Sequence, residues 1–453
     1  MSLPRYGKYK DSGIEWLEWI PNHWGLGPLK RRFSVCLGKM LQTDSADSGD
    51  SLKPYLRAAN VHWSGVDTTD VKSMWFSLRD IEQLRLKAGD LLVSEGGDVG
   101  RSSIWRDELP ECYIQNSINR VRARGDDSTR FLYYWLATLK SKGYIDVLCN
   151  KSTIAHFTAE KLAGITTPFP PIEEQNAIAT FLDHETAKID ALIAEQEALI
   201  LLLAEKRQAT ISHIVTRGLN PDVPMQDSGV AWFREIPAHW NRVQLGRLCN
   251  QISDGPHFSP SYVTNGVMFL SARNIKVDGW SLDDAKYVSE EDYDAFCKRV
   301  TPEVGDVLYT KGGTTGIARV VDLQERFQIW VHIAVLKLKR DIALPNFIAY
   351  ALNSLGCYEQ SQLFTRGATN NDLGLTRLAK IYLALPPIEE QELIVAFLNS
   401  ETAKLDLLKT DAERAITILK ERRSALVSVA ITGQIDVRGQ VAEQPAENEA
   451  TTA

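Results

Sequence analysis

The hexapeptide PPIEEQ occurs twice, at Pro170–Gln175 and at Pro386–Gln391, an offset of 216 residues. DSGIEWLEWIPNHW (Asp11–Trp24) recurs at the same offset as DSGVAWFREIPAHW (Asp227–Trp240), with eight of fourteen positions identical. AGDLLVSEGGDVG, ending at Gly100, returns as VGDVLYTKGGTTG, ending at Gly316, and FLYYWL from Phe131 returns as FIAYAL from Phe347. Only YLRAANV (Tyr55–Val61) against FLSARNI (Phe269–Ile275) slips, to an offset of 214, which marks a small insertion. The chain is a tandem duplication. Its period lies far beyond that of solenoid repeats, so each copy is a folding unit with its own core. Between the anchors the copies diverge: QNSINRVRARGDDSTR stands in one where VHIAVLKLKRDIALPN stands in the other. The frame is repeated and the contents are not.

A helix follows each PPIEEQ. Proline in the first turn lacks only an N–H that would be unpaired anyway, and the two glutamates favour the positive end of the helix dipole. Apolar residues then recur at three- and four-residue steps, from Phe181 to Ile214 in one copy and from Phe397 to Val429 in the other. Gly218 with Pro221, and Gly433, supply the stops. Each helix is thus about 44 residues, or roughly 65 Å at 1.5 Å per residue. Two helices that long with apolar seams are expected to pack on each other as an antiparallel coiled coil, with a pseudo-two-fold axis across the pair and one globular unit at each end.

The globular units read as mixed α/β (α+β). Strands are expected at Tyr55–Trp63, Asp90–Ser94, Ser102–Trp105 and Ile118–Arg122, and an amphipathic helix at Thr129–Lys140. The resulting division is an N-terminal segment 1–25, a first unit 26–169, a first long helix 170–218, a linker and repeat start 219–242, a second unit 243–385, a second long helix 386–433, and a disordered acidic tail 434–453.

Composition narrows the function. No apolar run approaches a membrane span and no signal-peptide pattern is present, so a cytoplasmic protein without membrane association is expected. Six scattered cysteines without a CxxC pair read as reduced core residues, and no histidine cluster suggests a metal. The net charge of −7 argues mildly against a general nucleic-acid coat. Residues 25–130 carry 16 Lys and Arg against 15 Asp and Glu, which leaves room for a basic face.

Several groups have chemistry suited to DNA. The turns Gly96, Gly97, Gly100 and Gly312, Gly313, Gly316 fall between strands; they are either tight connections needing positive φ or backbone nests for a phosphate, helped by Arg101 and Lys311. Neither fits a Walker A or dinucleotide loop. Lys151, Ser152 and Thr153, matched by Gly367, Ala368 and Thr369 with Arg366 adjacent, offer hydroxyls beside a cation, either as a solvated loop or as a backbone contact. Arg57 with Asn60, and Arg273 with Asn274, either read bases or tie down a strand end. Asn116 and Arg120 join them from the divergent segment. Trp16, Trp24, Trp232 and Trp240 sit at matching positions and read as core or docking residues. No nucleophile has an evident partner.

Two α/β units, each followed by a long helix that opens on PPIEEQ and contains ETAK-[IL]-D (Glu185–Asp190; Glu401–Asp406), resemble the specificity subunit of a type I restriction-modification system. The resemblance covers nearly the whole chain. It rests on DSG...W...IP.HW, the GD-[LV]-L...GG..G segment and PPIEEQ...FL...TAK-[IL]-D, each present twice and in order. It implies that each unit is a target recognition domain reading half of a split, asymmetric site in double-stranded DNA, with the helices as a ruler between the halves. Two units with different reading surfaces are expected to read different sequences, unlike a homodimer on a palindrome. The resemblance further implies two adenine-N6 methyltransferase (M) subunits and restriction/translocase (R) subunits as partners. S-adenosylmethionine, ATP and Mg belong to those partners, with no cofactor and no catalysis on this chain; it has no Asn-Pro-Pro-aromatic motif. Pro171, Glu173, Glu174, Gln175 and their counterparts Pro387, Glu389, Glu390, Gln391 then serve as helix caps, as docking surfaces for M subunits, or as both. The alternatives are the recognition subunit of another split-site restriction system and a coiled-coil protein-binding scaffold, with a nucleotide-binding enzyme behind them.

Overall fold

The computed structural model describes residues 4–149, 156–365 and 372–440. The chain forms two compact units, residues 1–195 with 415–453 and residues 196–414. Each contains one globular α/β body and one half of each long helix.

In the first unit a four-stranded antiparallel sheet has the order Ser102–Ile104, Leu91–Ser94, Ile118–Ala123, Phe33–Leu37. A three-stranded sheet sets Tyr113–Ile114 parallel to Ser51–Leu56, which runs antiparallel to Lys72–Phe76. Successive strand side chains point to opposite faces, and Leu91–Ser94 is buried on both. Leu91 and Val93 therefore enter a core with Phe131, Trp135 and Leu139 of the helix Thr129–Ser141, while Leu92 enters a second core with Leu56, Trp105 and Ile118.

The second unit repeats this plan. Its four-stranded sheet runs Cys249–Asp254, Ile333–Leu338, Val307–Thr310, Ala318–Val320, and its three-stranded sheet Lys286–Val288, Val267–Leu270, Phe327–Ile329. Val307 and Tyr309 face Phe347 and Ile348 of the helix Pro345–Leu352, and Leu308 faces Leu270 and Val335. Different residues thus fill one frame.

The long helices are Ile172–Arg217, 46 residues, and Ile388–Ile431, 44 residues. Pro171 accepts hydrogen bonds from the N–H groups of Glu174 and Gln175, so it caps the helix rather than opening its first turn. Gly218 (φ +76°) and Gly433 (φ +71°) end the helices in the left-handed conformation that glycine tolerates best. Within the first unit the halves run antiparallel: Ile178, Phe181 and Leu182 share a core with Val427, Ala430 and Ile431, and further along Asp190 pairs with Arg423 at 2.8 Å. Within the second unit Ile211 and Ile214 pack with Ile394 and Leu398, and Arg207 pairs with Asp406.

Two expectations change. The strand over Tyr55–Trp63 is broken into Ser51–Leu56, a 3-10 turn Ala58–Asn60 and a two-residue strand Val61–His62. Asn60 causes the break: its Oδ1 accepts the Arg57 N–H at 2.9 Å and its Nδ2 donates to the Asp67 carbonyl at 2.9 Å, a local alternative to the sheet ladder. The disordered tail expected from Gln434 begins in fact with folded residues, because Asp436 N–H bonds the Pro4 carbonyl at 2.8 Å and Val437 is buried; residues 441–453 lie outside the described residues. All six cysteines are free, and burial pushes the Cys112 and Cys249 thiols up to about 12. Among the described residues no helix is long and apolar enough to cross a membrane.

Candidate DNA interface

The two repeated motifs meet in space. Trp24 is fully buried and its indole N–H donates to Glu174 Oε1 at 2.8 Å, while His23 Nε2 lies 2.7 Å from Glu174 Oε2. In the second unit Trp240 Nε1 and His239 Nε2 both lie 2.9 Å from Glu390 Oε2. The glutamine that follows makes a second clasp. Gln175 accepts the Ser128 N–H at 2.9 Å and donates to Pro170 O and Asp127; Gln391 accepts the Leu344 N–H at 2.9 Å and donates to Pro386 O and Ile342 O. His-Trp and Glu-Gln therefore recur together because each unit fastens its segment before the first sheet, and the start of its peripheral helix, onto the base of its long helix. This corrects part of the docking expectation. The side chains of Glu174, Gln175 and Gln391 are spent inside the fold and that of Glu390 is committed to His239 and Trp240, whereas Pro171, Glu173, Pro387 and Glu389 are exposed.

The glycine turns are hairpin connections. Gly100 N–H bonds Ser94 O at 2.9 Å and Gly316 N–H bonds Thr310 O at 2.9 Å. Gly97, Gly100, Gly313 and Gly316 have positive φ, and a Cβ on Gly100 or Gly316 would stand 2.8 Å from Ile145 or 2.7 Å from Tyr358. A Cβ on Gly312 would strike the His332 ring at 2.2 Å, whereas Gly96 has open space around it. Glycine is thus required at Gly97, Gly100, Gly312, Gly313 and Gly316 by backbone geometry or close packing, but not at Gly96. Only Gly97 and Gly313 are exposed, with Gly96 partly so.

Three candidate cations prove to be structural. Lys311 is 1 % exposed, with Nζ 3.3 Å from Asp254 and 3.1 Å from Asp372. It is unavailable to a phosphate. Arg120 is buried, donates to the Gln83 carbonyl at 2.7 Å, and has its pKa lowered by burial and by the charge of Arg122. Arg101 donates to the Ala58 carbonyl at 2.8 Å and so ties the glycine turn to the 3-10 turn. Ser117 strengthens that link, accepting from Ala58 N–H through Oγ and from Glu95 N–H through its carbonyl.

In the first unit, then, the fold brings Arg57, Gly96, Gly97, Arg101 and Asn116 to one sheet end, with Asn60 and Gly100 as buried supports. Arg57 pairs with Asp70 at 2.7 Å. In the second unit Asn274 is buried and accepts the Ser271 N–H at 2.8 Å, whereas Arg273 is exposed. The asparagines are therefore turn-formers and the arginines remain able to reach a ligand. Lys151, Ser152, Thr153, Arg366, Gly367, Ala368 and Thr369 lie outside the described residues.

Sequence reasoning missed a charged cluster in the second unit. Asp254, 2 % exposed, ends its strand and gathers Arg299, His257 and Lys311 around one carboxylate. Burial alone would raise its pKa, but the Arg299 hydrogen bond and the Lys311 charge hold it below the usual carboxylate range. Asp254 and Arg299 are 45 residues apart, and no local pattern announces the pair. The same unit has an open groove of about 660 Å³ beside its glycine turn, with Gln208, Thr314, Asn353, Tyr358 and Gln362 in its lining.

Two copies of one α/β frame, each fastened to a long helix by the same Trp–Glu lock and each carrying its own surface chemistry, define a duplicated recognition scaffold. The family model described as "Type I restriction modification DNA specificity domain" matches residues 36–201 and 239–416, more than half of the chain. The chain belongs to that family. Among similar proteins, the type I restriction enzyme EcoBI specificity subunit of Escherichia coli is 24% identical over 373 residues, covering 79% of this chain and 75% of the relative. The StySPI specificity subunit of Salmonella potsdam is 22% identical over 454 residues, covering 94% and 92%. Two solved structures share the fold. One, described as the basis of complex assembly and conformational transition of the type I R-M system, has a TM-score of 0.68 at 16% identity and covers 92% of this chain and 99% of its own. The other, the HsdS subunit from Thermoanaerobacter tengcongensis, has a TM-score of 0.51 at 17% identity and covers 92% and 98%.

Proposed function

We propose that this chain is the DNA-recognition subunit of a type I restriction-modification assembly, in which each globular unit reads one half of an asymmetric, bipartite site in double-stranded DNA. The observation that carries this reading is a duplicated frame with different chemistry at equivalent exposed places. At the 3-10 turn shared by the two units, the first has Arg57, paired with Asp70, and the exposed Ala59 where the second has Ser271 and the exposed Arg273. A palindrome reader would repeat the surface along with the frame.

The remaining roles follow from what each part leaves free. The long helices hold the two readers and so fix the unread base pairs between half-sites. Pro171, Glu173, Pro387 and Glu389, exposed at the helix starts, are the docking residues for two methyltransferase subunits. S-adenosylmethionine, ATP and Mg are carried by the methyltransferase and restriction subunits, and this chain supplies specificity without catalysis. The test is an adenine-methylation map of the host genome with the gene intact and deleted. Loss of one split, asymmetric methylated motif on deletion supports the reading; an unchanged map contradicts it.

A further inference from the structure

We infer that Arg299 is a base-reading side chain of the second unit, donating to the acceptors of a guanine in the major groove, with Phe258 beside it as an apolar contact for the neighbouring base. The inference deepens the DNA-recognition reading and rests on it.

Arg299 is half exposed, yet its guanidinium is held at two points. Nε donates to the Asp254 carbonyl at 2.8 Å and lies 3.2 Å from Asp254 Oδ1, and Nη2 bonds the same carboxylate oxygen. His257 Nε2 stands 3.1 Å from Nη2. Among the described residues Nη1 makes no hydrogen bond, so two N–H donors remain on a fixed plane facing solvent. An arginine left to pair on the surface would have no such order; here the buried carboxylate has lowered the entropy to be lost on binding. The neighbouring hollow of about 390 Å³ is lined by Pro256, His257, Phe258, Ala295, Phe296 and Arg299, with no carboxylate among them. Phe258 is 61% exposed and rests edge-on against Phe296, 5.6 Å between centroids. A fixed cationic donor beside an exposed ring, with Asp254 buried behind the guanidinium and no carboxylate in the lining of the hollow, matches the guanine acceptors and thymine methyl displayed in the major groove.

The first unit lacks this device at the same place. Leu37 stands where Asp254 does, each before a glycine whose Cβ would strike a carbonyl, Gln115 O at 2.3 Å for Gly38 and Ile329 O at 2.0 Å for Gly255. Arg85, after the equivalent short helix, reaches toward the Pro110 carbonyl instead. Lys39, which follows Gly38, pairs with Asp80, and Met40 and Leu41 beyond it are exposed and apolar. One frame therefore offers two different chemistries at one position, as two unlike half-sites require.

The experiment maps methylation by the full chain expressed with its partner subunits, comparing wild type with Arg299→Gln and Phe258→Ala, and uses thermal melting as a control for folding. Arg299→Gln is expected to relax preference at one base pair of the second unit's half-site by roughly five- to hundredfold, leaving the other half unchanged. Phe258→Ala, which removes an exposed side chain and spares the core, is expected to relax the adjacent position. An intact motif with uniformly weaker, less salt-dependent binding would make Arg299 a phosphate contact and overturn the inference. An unchanged motif in both variants would overturn it as well. Failure of the wild-type protein to direct any split motif would place the fault in the DNA-recognition reading, and this inference would fall with it.

Discussion

Replacing Glu174 by alanine is expected to destabilise the first unit far more than replacing Glu390 destabilises the second. Glu174 has a 4% exposed side chain and uses both oxygens, Oε1 for the fully buried Trp24 indole and Oε2 for His23. It also combines with burial to push the Tyr6 hydroxyl well above its usual range. A hydrogen bond to a charged group contributes about 1.5–3 kcal/mol, and a buried donor left unpaired costs about 1–3 kcal/mol. Alanine at position 174 should therefore cost about 3–4 kcal/mol. Glu390 has a 26% exposed side chain and directs one oxygen at both partners, so water can replace it in part; about 1–2 kcal/mol is expected there. Because two units need not unfold together, a single melting temperature is a poor readout. Amide hydrogen exchange resolves them: amides of residues 4–24 and 172–182 should exchange roughly a hundred- to a thousandfold faster in Glu174→Ala, with residues 228–240 unaffected. Glu174→Gln, which keeps an acceptor for the indole, should recover most of the protection. Equal effects at the two glutamates, or a larger one at Glu390, would refute the reasoning.

Gly100→Ala and Gly316→Ala should each lower stability by about 1–3 kcal/mol in thermal melting, since both combine positive φ with a Cβ clash, whereas Gly96→Ala should be close to neutral. Lys311→Met should cost about 3 kcal/mol in denaturant unfolding yet leave the salt dependence of DNA binding unchanged, because its amine is buried between Asp254 and Asp372. The folded pKa of Asp254 is depressed, so its contribution is present above the unfolded carboxylate range and is lost as pH falls through the folded value. The stability gap between wild type and Asp254→Asn should be largest near neutrality and close below about pH 4. Asp190→Ala removes one exposed ion pair on the long helices and should change stability by less than about 1 kcal/mol.

The duplication, the long helices and the strands Leu91–Ser94 and Ile118–Ala123 were legible because each leaves a local or periodic trace in the chain. So was the helix that begins at Thr129, whose buried residues return every third or fourth position. What stayed hidden depends on partners distant in sequence. Trp24 and Glu174 are 150 residues apart, although the joint recurrence of His-Trp and Glu-Gln at one offset was a signal that they act together. Lys311 looked like a phosphate-binding cation beside a glycine turn; its two carboxylates come from Asp254 and Asp372, far from it in the sequence. Asn60 looked like part of a strand because strand propensity does not register a side chain that bonds its own backbone turn.

The central claim is that the repeated frame carries two independent readers. Its most direct measurement is an adenine-methylation map of the host after residues 243–385 are exchanged for a diverged counterpart while the locks at Glu174 and Glu390 are kept. Independent readers give a motif in which one half changes and the other half and the spacer stay as they were. A motif in which both halves change, or neither does, would contradict it.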